Sequence, residues 1–139
     1  MKKIIIILFA SCCTFLYSQT NSTINLTKND FITKVFDYKN NTNQWVYKGS
    51  MPCVIDFYAD WCKPCREVAP VIEEIARKYN GKIIVYKVNT DKERELSNAL
   101  KIKSIPTFFF IPMKGAPIVS RGAMPKEYFE KNINQILME

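Results

Sequence analysis

The stretch Val54 to Cys65, VIDFYADWCKPC, constrains this chain more than any other. Val54 to Ala59 is almost continuously apolar, the pattern of a strand buried on both faces. Such a strand lies centrally in a sheet, and that sheet needs cover above and below. A helical periodicity begins near Cys62: Val68, Val71, Ile72, Ile75, Ala76 and Tyr79 form one stripe, which Asn80-Gly81 stops. Pro70 lies inside the pattern, where its missing donor predicts a kink near the middle of the helix. Two cysteines therefore sit where a buried strand hands over to a helix.

The remaining segments supply the partners this strand needs. Ile24-Asn25-Leu26 alternates like a short strand, and Thr27 with Asp30 resembles a helix cap ahead of Phe31, Ile32, Val35 and Phe36. Lys39 to Gln44 is Asn-rich and reads as a loop, with a small extra strand expected at Trp45 to Lys48. Lys82 to Val88 is the next strand, and Thr90 or Asp91 caps a helix carrying Leu96, Ala99 and Leu100. Thr107 to Ile111, a turn at Met113 to Ala116, a short strand Pro117 to Arg121 and a helix from Pro125 complete the order, with Phe129, Ile133, Ile136 and Leu137 expected inward. Alternation followed by a strand pair predicts an α/β fold, a mixed central sheet flanked by helices on both faces. At 139 residues the chain has room for one such core and not two.

Residues 1-19 have the order of a signal peptide: Lys2 and Lys3, an apolar run from Ile4 to Tyr17, then small and polar residues. The folded domain is expected to be 20-139. In a competing reading Phe9-Ala10-Ser11-Cys12 resembles a lipoprotein box, with Cys12 acylated after cleavage. An uncleaved anchor is the third alternative, although the run is short of the ~20 apolar residues a span needs. All three place the domain outside the cytoplasm, where disulfides persist.

The chain contains no His, which excludes Ser/His and Cys/His catalysis and His-bound metals. Its net charge of +7 is scattered, without a basic arm, so nucleic acid is not an expected partner. Cys62 and Cys65, three apart at a helix start, stand roughly 5 to 6 Å apart at Cβ and can pair. Unpaired N–H groups and the helix dipole favour a thiolate at Cys62, the predicted nucleophile. Cys65, one turn deeper and expected to be less exposed, is placed to resolve a mixed disulfide. A purely structural disulfide would not need this junction with Trp61 ahead of it. A metal site would need two further ligands, with Cys53 the only other candidate after cleavage. Asp56 loses hydration in its apolar strand, which should raise its pKa towards neutrality and suit it to proton transfer; the alternative is a structural carboxylate. Lys63 beside Cys62 should favour the thiolate and a slightly more oxidising couple. Cys53 reads as a small buried hydrophobe, or, if exposed, as a route to intermolecular disulfides.

Taken with Arg66 to Pro70, Ser104-Ile105-Pro106-Thr107 and Arg121-Gly122-Ala123, the VIDFYADWCKPC stretch resembles the thioredoxins, from about Ile24 to the C-terminus. The N-terminus makes it similar to the exported, periplasmic members. Lys63 stands where the most familiar motif has glycine. The resemblance implies a thioredoxin fold and a cis peptide at Ile105-Pro106, before which the backbone pairs with an extended substrate. It implies a substrate groove bordered by Trp61, Lys63, Pro64, Ile105, Pro106, Thr107, Gly122 and Ala123. Asp56 would lie beneath Cys65 and take up its proton, with Lys87 nearby; a solvent-facing strand end is the other reading of Lys87. The implied activity is reduction of protein disulfides through a redox-active Cys62/Cys65 pair, without cofactor or metal. The implied partners are disulfide-containing proteins and a membrane electron donor, with the chain a monomer that touches the membrane only if lipidated at Cys12. Alternatives are an oxidase or isomerase, a cytochrome-maturation reductant, or a non-catalytic thioredoxin-like binding module. Oxidising members usually carry a His in the motif and an inserted helical domain, and binding modules lose a cysteine or the Ile-Pro segment. Neither departure is present.

Overall fold

The computed structural model describes residues 22–41 and 43–138, so the expected leader and Cys12 lie outside the described residues. The elements are β1 (Ile24–Asn25), α1 (Lys28–Lys34), β2 (Cys53–Tyr58), α2 (Lys63–Lys78), β3 (Ile84–Asn89), α3 (Arg94–Ala99), β4 (Thr107–Ile111), β5 (Ile118–Arg121) and α4 (Lys126–Met138). They form a five-stranded sheet in the order β1-β3-β2-β4-β5. β1, β3 and β2 run parallel, and β4 and β5 add on antiparallel. β2 thus lies at the centre, as its unbroken apolar pattern requires.

The two-residue period of the strands divides the core. Val54, Phe108 and Phe110 face one side and pack with Ile72 and Ile75 of α2 and Phe129 and Ile133 of α4. Phe129 meets Phe108 edge-on at 4.8 Å. Ile55, Phe57, Val88 and Phe109 face the other side against Phe31, Val35 and Leu96. Each fully buried Phe or Ile stabilises the fold by about 1.5 to 3 kcal/mol before chain entropy is counted, so the sheet is anchored on both faces. Thr27 caps α1 as expected, its Oγ1 accepting the Asp30 N–H at 3.2 Å. α2 runs on through Pro70 to Lys78, and Gly81 beyond it takes the left-handed φ of +78° that glycine permits.

Three local expectations are corrected. Trp45 to Lys48 is not a strand: Trp45 stacks on Phe36 at 4.3 Å and Lys48 N–H bonds the Val35 carbonyl, so the segment follows the end of α1 instead of a sheet edge. Neither Thr90 nor Asp91 caps α3, which starts at Arg94. The Asn89 side chain takes the N–H groups of Asp91 and Lys92, making a turn before the helix begins. Leu137 is exposed, because the inward row of α4 is Phe129, Ile133 and Ile136, and Leu137 lies one step around the helix.

Candidate active site

β2 ends at Tyr58, and a tight turn follows in which the Cys62 N–H bonds the Ala59 carbonyl at 3.1 Å. Cys62 itself is the N-cap of α2, with extended backbone, and its Sγ accepts the Cys65 N–H at 3.2 Å. One donor left over by the helix start therefore points at this sulfur. Pro64 lies within the first two helical positions, where a missing N–H costs little, and no acidic residue occupies the first turn. Cys62 and Cys65 are joined as a disulfide with Cα atoms 5.3 Å apart, so this is the oxidised protein. The expected difference in exposure is absent. Both cysteines are 3% exposed, packed with Ala59 and covered by Tyr58 and Ile105. The asymmetry lies instead in the N–H directed to Cys62. Lys63 is exposed and pairs at 3.9 Å with Glu67, also exposed, which offsets its charge.

Asp56 is 1% exposed, and its Oδ1 has no hydrogen-bond partner among the described residues. Burial pushes its pKa up to about 7, against the opposing pull of Lys87. Those two residues are register partners on β2 and β3, and Lys87 is half-buried with its Nζ 4.8 Å from the centre of the Tyr58 ring. This favours the reading of Lys87 as the carboxylate's neighbour over a solvent-facing strand end. Asp56, Cys65, Arg66, Asp60 and Lys87 share the lining of one cleft of about 180 Å³. That is room for water, so a proton can pass between carboxylate and inner sulfur without direct contact. Arg66 Nη1 donates to the Asp60 carbonyl at 2.9 Å, and Asn89 Nδ2 to the Asp60 carboxylate at 3.2 Å.

The Ile105-Pro106 peptide is cis. The Pro106 carbonyl accepts the N–H of Gly122, whose φ of +85° brings that turn beside it. The main-chain N–H and C=O of Ile105 bond to no other described residue. Trp61 is 69% exposed, held by its Nε1, which donates to Asp91 at 2.8 Å. With Thr90, Ile102, Lys103, Ser104 and Ile105 it lines a shallow groove of about 200 Å³. A second groove runs between Glu67, Val68 and Val71 and the segment Ala123 to Pro125. Thr107 departs from the expected border: it is buried, with its hydroxyl donating to the Ser104 carbonyl at 2.7 Å, and Pro106 is buried too. Their side chains support the strip that Ile105 presents. Asp60 was not singled out from the sequence, Asp91 was read only as a helix cap and Arg66 only as part of the family motif. The contacts of Asp91 with Trp61 and of Asp60 with Asn89 join segments about thirty residues apart, so no local pattern marks them.

The family model described as Thioredoxin matches residues 21–135. The chain belongs to the thioredoxin family. It is 47% identical over 110 residues to the thioredoxin of Borreliella burgdorferi, which covers 79% of this chain and 93% of that one. It is 43% identical over 96 residues to thioredoxin 1 of a Nostoc species, covering 68% and 88%. A crystal structure of chloroplastic thioredoxin z superposes with a TM-score of 0.69 over 84% of this chain and 96% of that one, at 23% identity, which bears on the fold alone. The chain is accordingly a thioredoxin-type disulfide reductase with its cysteine pair at 62 and 65, acting on disulfide-containing proteins.

Proposed function

We propose that the protein reduces client disulfides outside the cytoplasm, with Cys62 as nucleophile, Cys65 as resolving thiol and Asp56 as proton acceptor. The Cys62 thiolate attacks one client sulfur and expels the other, which takes a proton. Cys65 gives its proton to Asp56 through the cleft and attacks the mixed disulfide, forming the Cys62–Cys65 disulfide and expelling the second client sulfur as a thiolate, which takes a proton from water. The observation that carries this reading is the position of Cys62 as helix cap with a backbone N–H on its sulfur, while Cys65 shares a cleft with an unpartnered buried carboxylate. The client lies as an extended segment against the free main chain of Ile105, bordered by Trp61, Lys63, Pro64, Gly122 and Ala123, with Pro106 and Thr107 behind.

The export reading rests on the order of charge and apolarity in residues 1-19, with 20-139 as the mature domain and acylation at Cys12 as the variant of that route. A periplasmic monomer recharged by a membrane electron donor follows from it. Alkylation trapping in intact cells tests direction: a mostly reduced Cys62/Cys65 pair supports a reductase, and a mostly oxidised pair means the reverse. Sequencing the N-terminus of the protein recovered from a periplasmic fraction tests export, with a start near Ser18 to Thr20 expected. An intact Met1 in the cytoplasmic fraction would overturn it.

A further inference from the structure

The exposed indole of Trp61 is held by contacts that meet on one distant side chain. Its Nε1 donates to Asp91 at 2.8 Å, and the residue before it, Asp60, accepts the Asn89 Nδ2 on its carboxylate at 3.2 Å. The other end of the same amide, Asn89 Oδ1, accepts the backbone N–H of Asp91 at 3.0 Å. Asn89, Asp60, Trp61 and Asp91 thus close a ring through three hydrogen bonds. Asn89 is only 8% exposed, so its amide is a buried polar group with both ends engaged. An amide suits the position because it donates at one end and accepts at the other, whereas a carboxylate only accepts. The hydrogen bonds that hold Cys62, to the Ala59 carbonyl and from the Cys65 N–H, do not pass through it.

We propose that Asn89 is a positioning residue for client binding, which fixes the Trp61 indole along its groove before a client arrives. The inference rests on the reductase reading above and adds to it a residue outside the cysteine motif. An exposed tryptophan without a partner samples several rotamers and loses that freedom when a client segment packs on it, and a ring already held has less to lose. Asp91 holds the indole only as firmly as its own turn is placed relative to Asp60. The fold itself does not hang on this bond, because the Thr90 N–H reaches the Tyr58 carbonyl at 2.8 Å and Arg66 holds the Asp60 carbonyl at 2.9 Å. What the Asn89 amide adds is the placement of the two aspartates on either side of Trp61. One side chain's rotamer freedom is at stake, which sets the gain in client rate at roughly threefold to tenfold.

The test variant is Asn89→Asp, which still accepts the Asp91 N–H but sets a carboxylate against that of Asp60. Protein reduced beforehand and freed of reductant is mixed with a peptide closed by one disulfide and, separately, with hydroxyethyl disulfide, which is too small to lie along the groove. The ratio of the two rate constants should fall roughly threefold to tenfold. Adding Asp60→Asn should restore it, because the bond then forms in the opposite sense, amide to carboxylate. Asp60→Ala, at an exposed position, removes the same bond from its other end and should lower the ratio alike. In a Trp45→Phe background Trp61 is the only tryptophan, and its fluorescence anisotropy should drop with Asn89→Asp and recover with Asp60→Asn. An unchanged ratio in Asn89→Asp and Asp60→Ala, or no recovery in the paired variant, would overturn the role of Asn89 while leaving the reductase intact. Failure of the reduced wild type to open either disulfide would overturn the reductase reading and this inference with it.

Discussion

Cys53 opens β2 and Cys62 lies just past its other end, and the two are covered almost equally, at 0% and 3% exposed. Their chemistry diverges all the same. Cys53 is a free thiol inside the core between the sheet and α1, where burial pushes its pKa up to about 12. Cys62 lies beyond the turn that follows β2, at the mouth of a sixteen-residue helix, and receives a backbone N–H. Burial alone makes a sulfur inert, and burial beside an aimed dipole makes it usable. β2 therefore opens on a thiol for packing and leads into one for exchange.

The largest effect that would break this contrast is at Cys62. Cys62→Ser should reduce disulfide-reducing activity to background in a turbidity assay, and Cys65→Ser should accumulate mixed disulfides on non-reducing gels. In the reduced wild type, alkylation followed by mass mapping should find Cys62 modified and Cys53 untouched, since a thiol with a pKa near 12 is ionised in only about one copy in 10⁵ at pH 7. A reactive Cys53 would end the comparison.

Asp56 sharpens it next. Its pKa rises from 3.8 to about 7 on folding, so the native state holds the proton more tightly than the unfolded chain. Its stabilising contribution is complete below pH 3.8 and is lost as pH rises through about 7. At ~1.36 kcal/mol per pH unit this amounts to ~4 kcal/mol. Oxidised Asp56→Asn should therefore match the wild type near pH 4 in denaturant titrations and exceed it by about that amount above pH 8. Equal stability at both pH values would remove the carboxylate from this role.

Smaller effects follow. Cys53→Ser buries a hydroxyl in place of a thiol and should cost about 1 to 3 kcal/mol with no change in reduction rate. A Cys62, Cys65 double mutant should run as a monomer without reductant. The smallest is Lys63→Gly, expected to lower the reduction potential by well under ~30 mV, because Glu67 already offsets the lysine.

The sequence carried the centre of the fold because the information there is local. A continuous apolar run specifies a central strand, and a 3.6-residue stripe specifies α2, so Cys62, Cys65 and Asp56 could be placed from their neighbours. What it hid is long-range. Trp61 finds Asp91 across the fold, and Asp60 meets both Arg66 and Asn89 in a turn whose shape depends on three elements. The cis bond before Pro106 came from family resemblance, since only about 5 to 6% of X–Pro bonds are cis. The start of α3 was misplaced because Asn89, the last residue of β3, takes the N–H groups of Asp91 and Lys92 on its side chain and that of Glu93 on its carbonyl, closing a turn ahead of the helix.

The central place of β2 has one more consequence. It is laddered to β3 on one side and β4 on the other, and it is sandwiched between two cores. Amides in such a position are among the last to exchange with deuterium, because releasing them means dismantling the whole domain. The sulfurs hang from the least pliant part of the molecule. In any encounter the partner does the bending, and a folded protein whose cystine is locked in a rigid surface should be opened far more slowly than one that has already begun to fray.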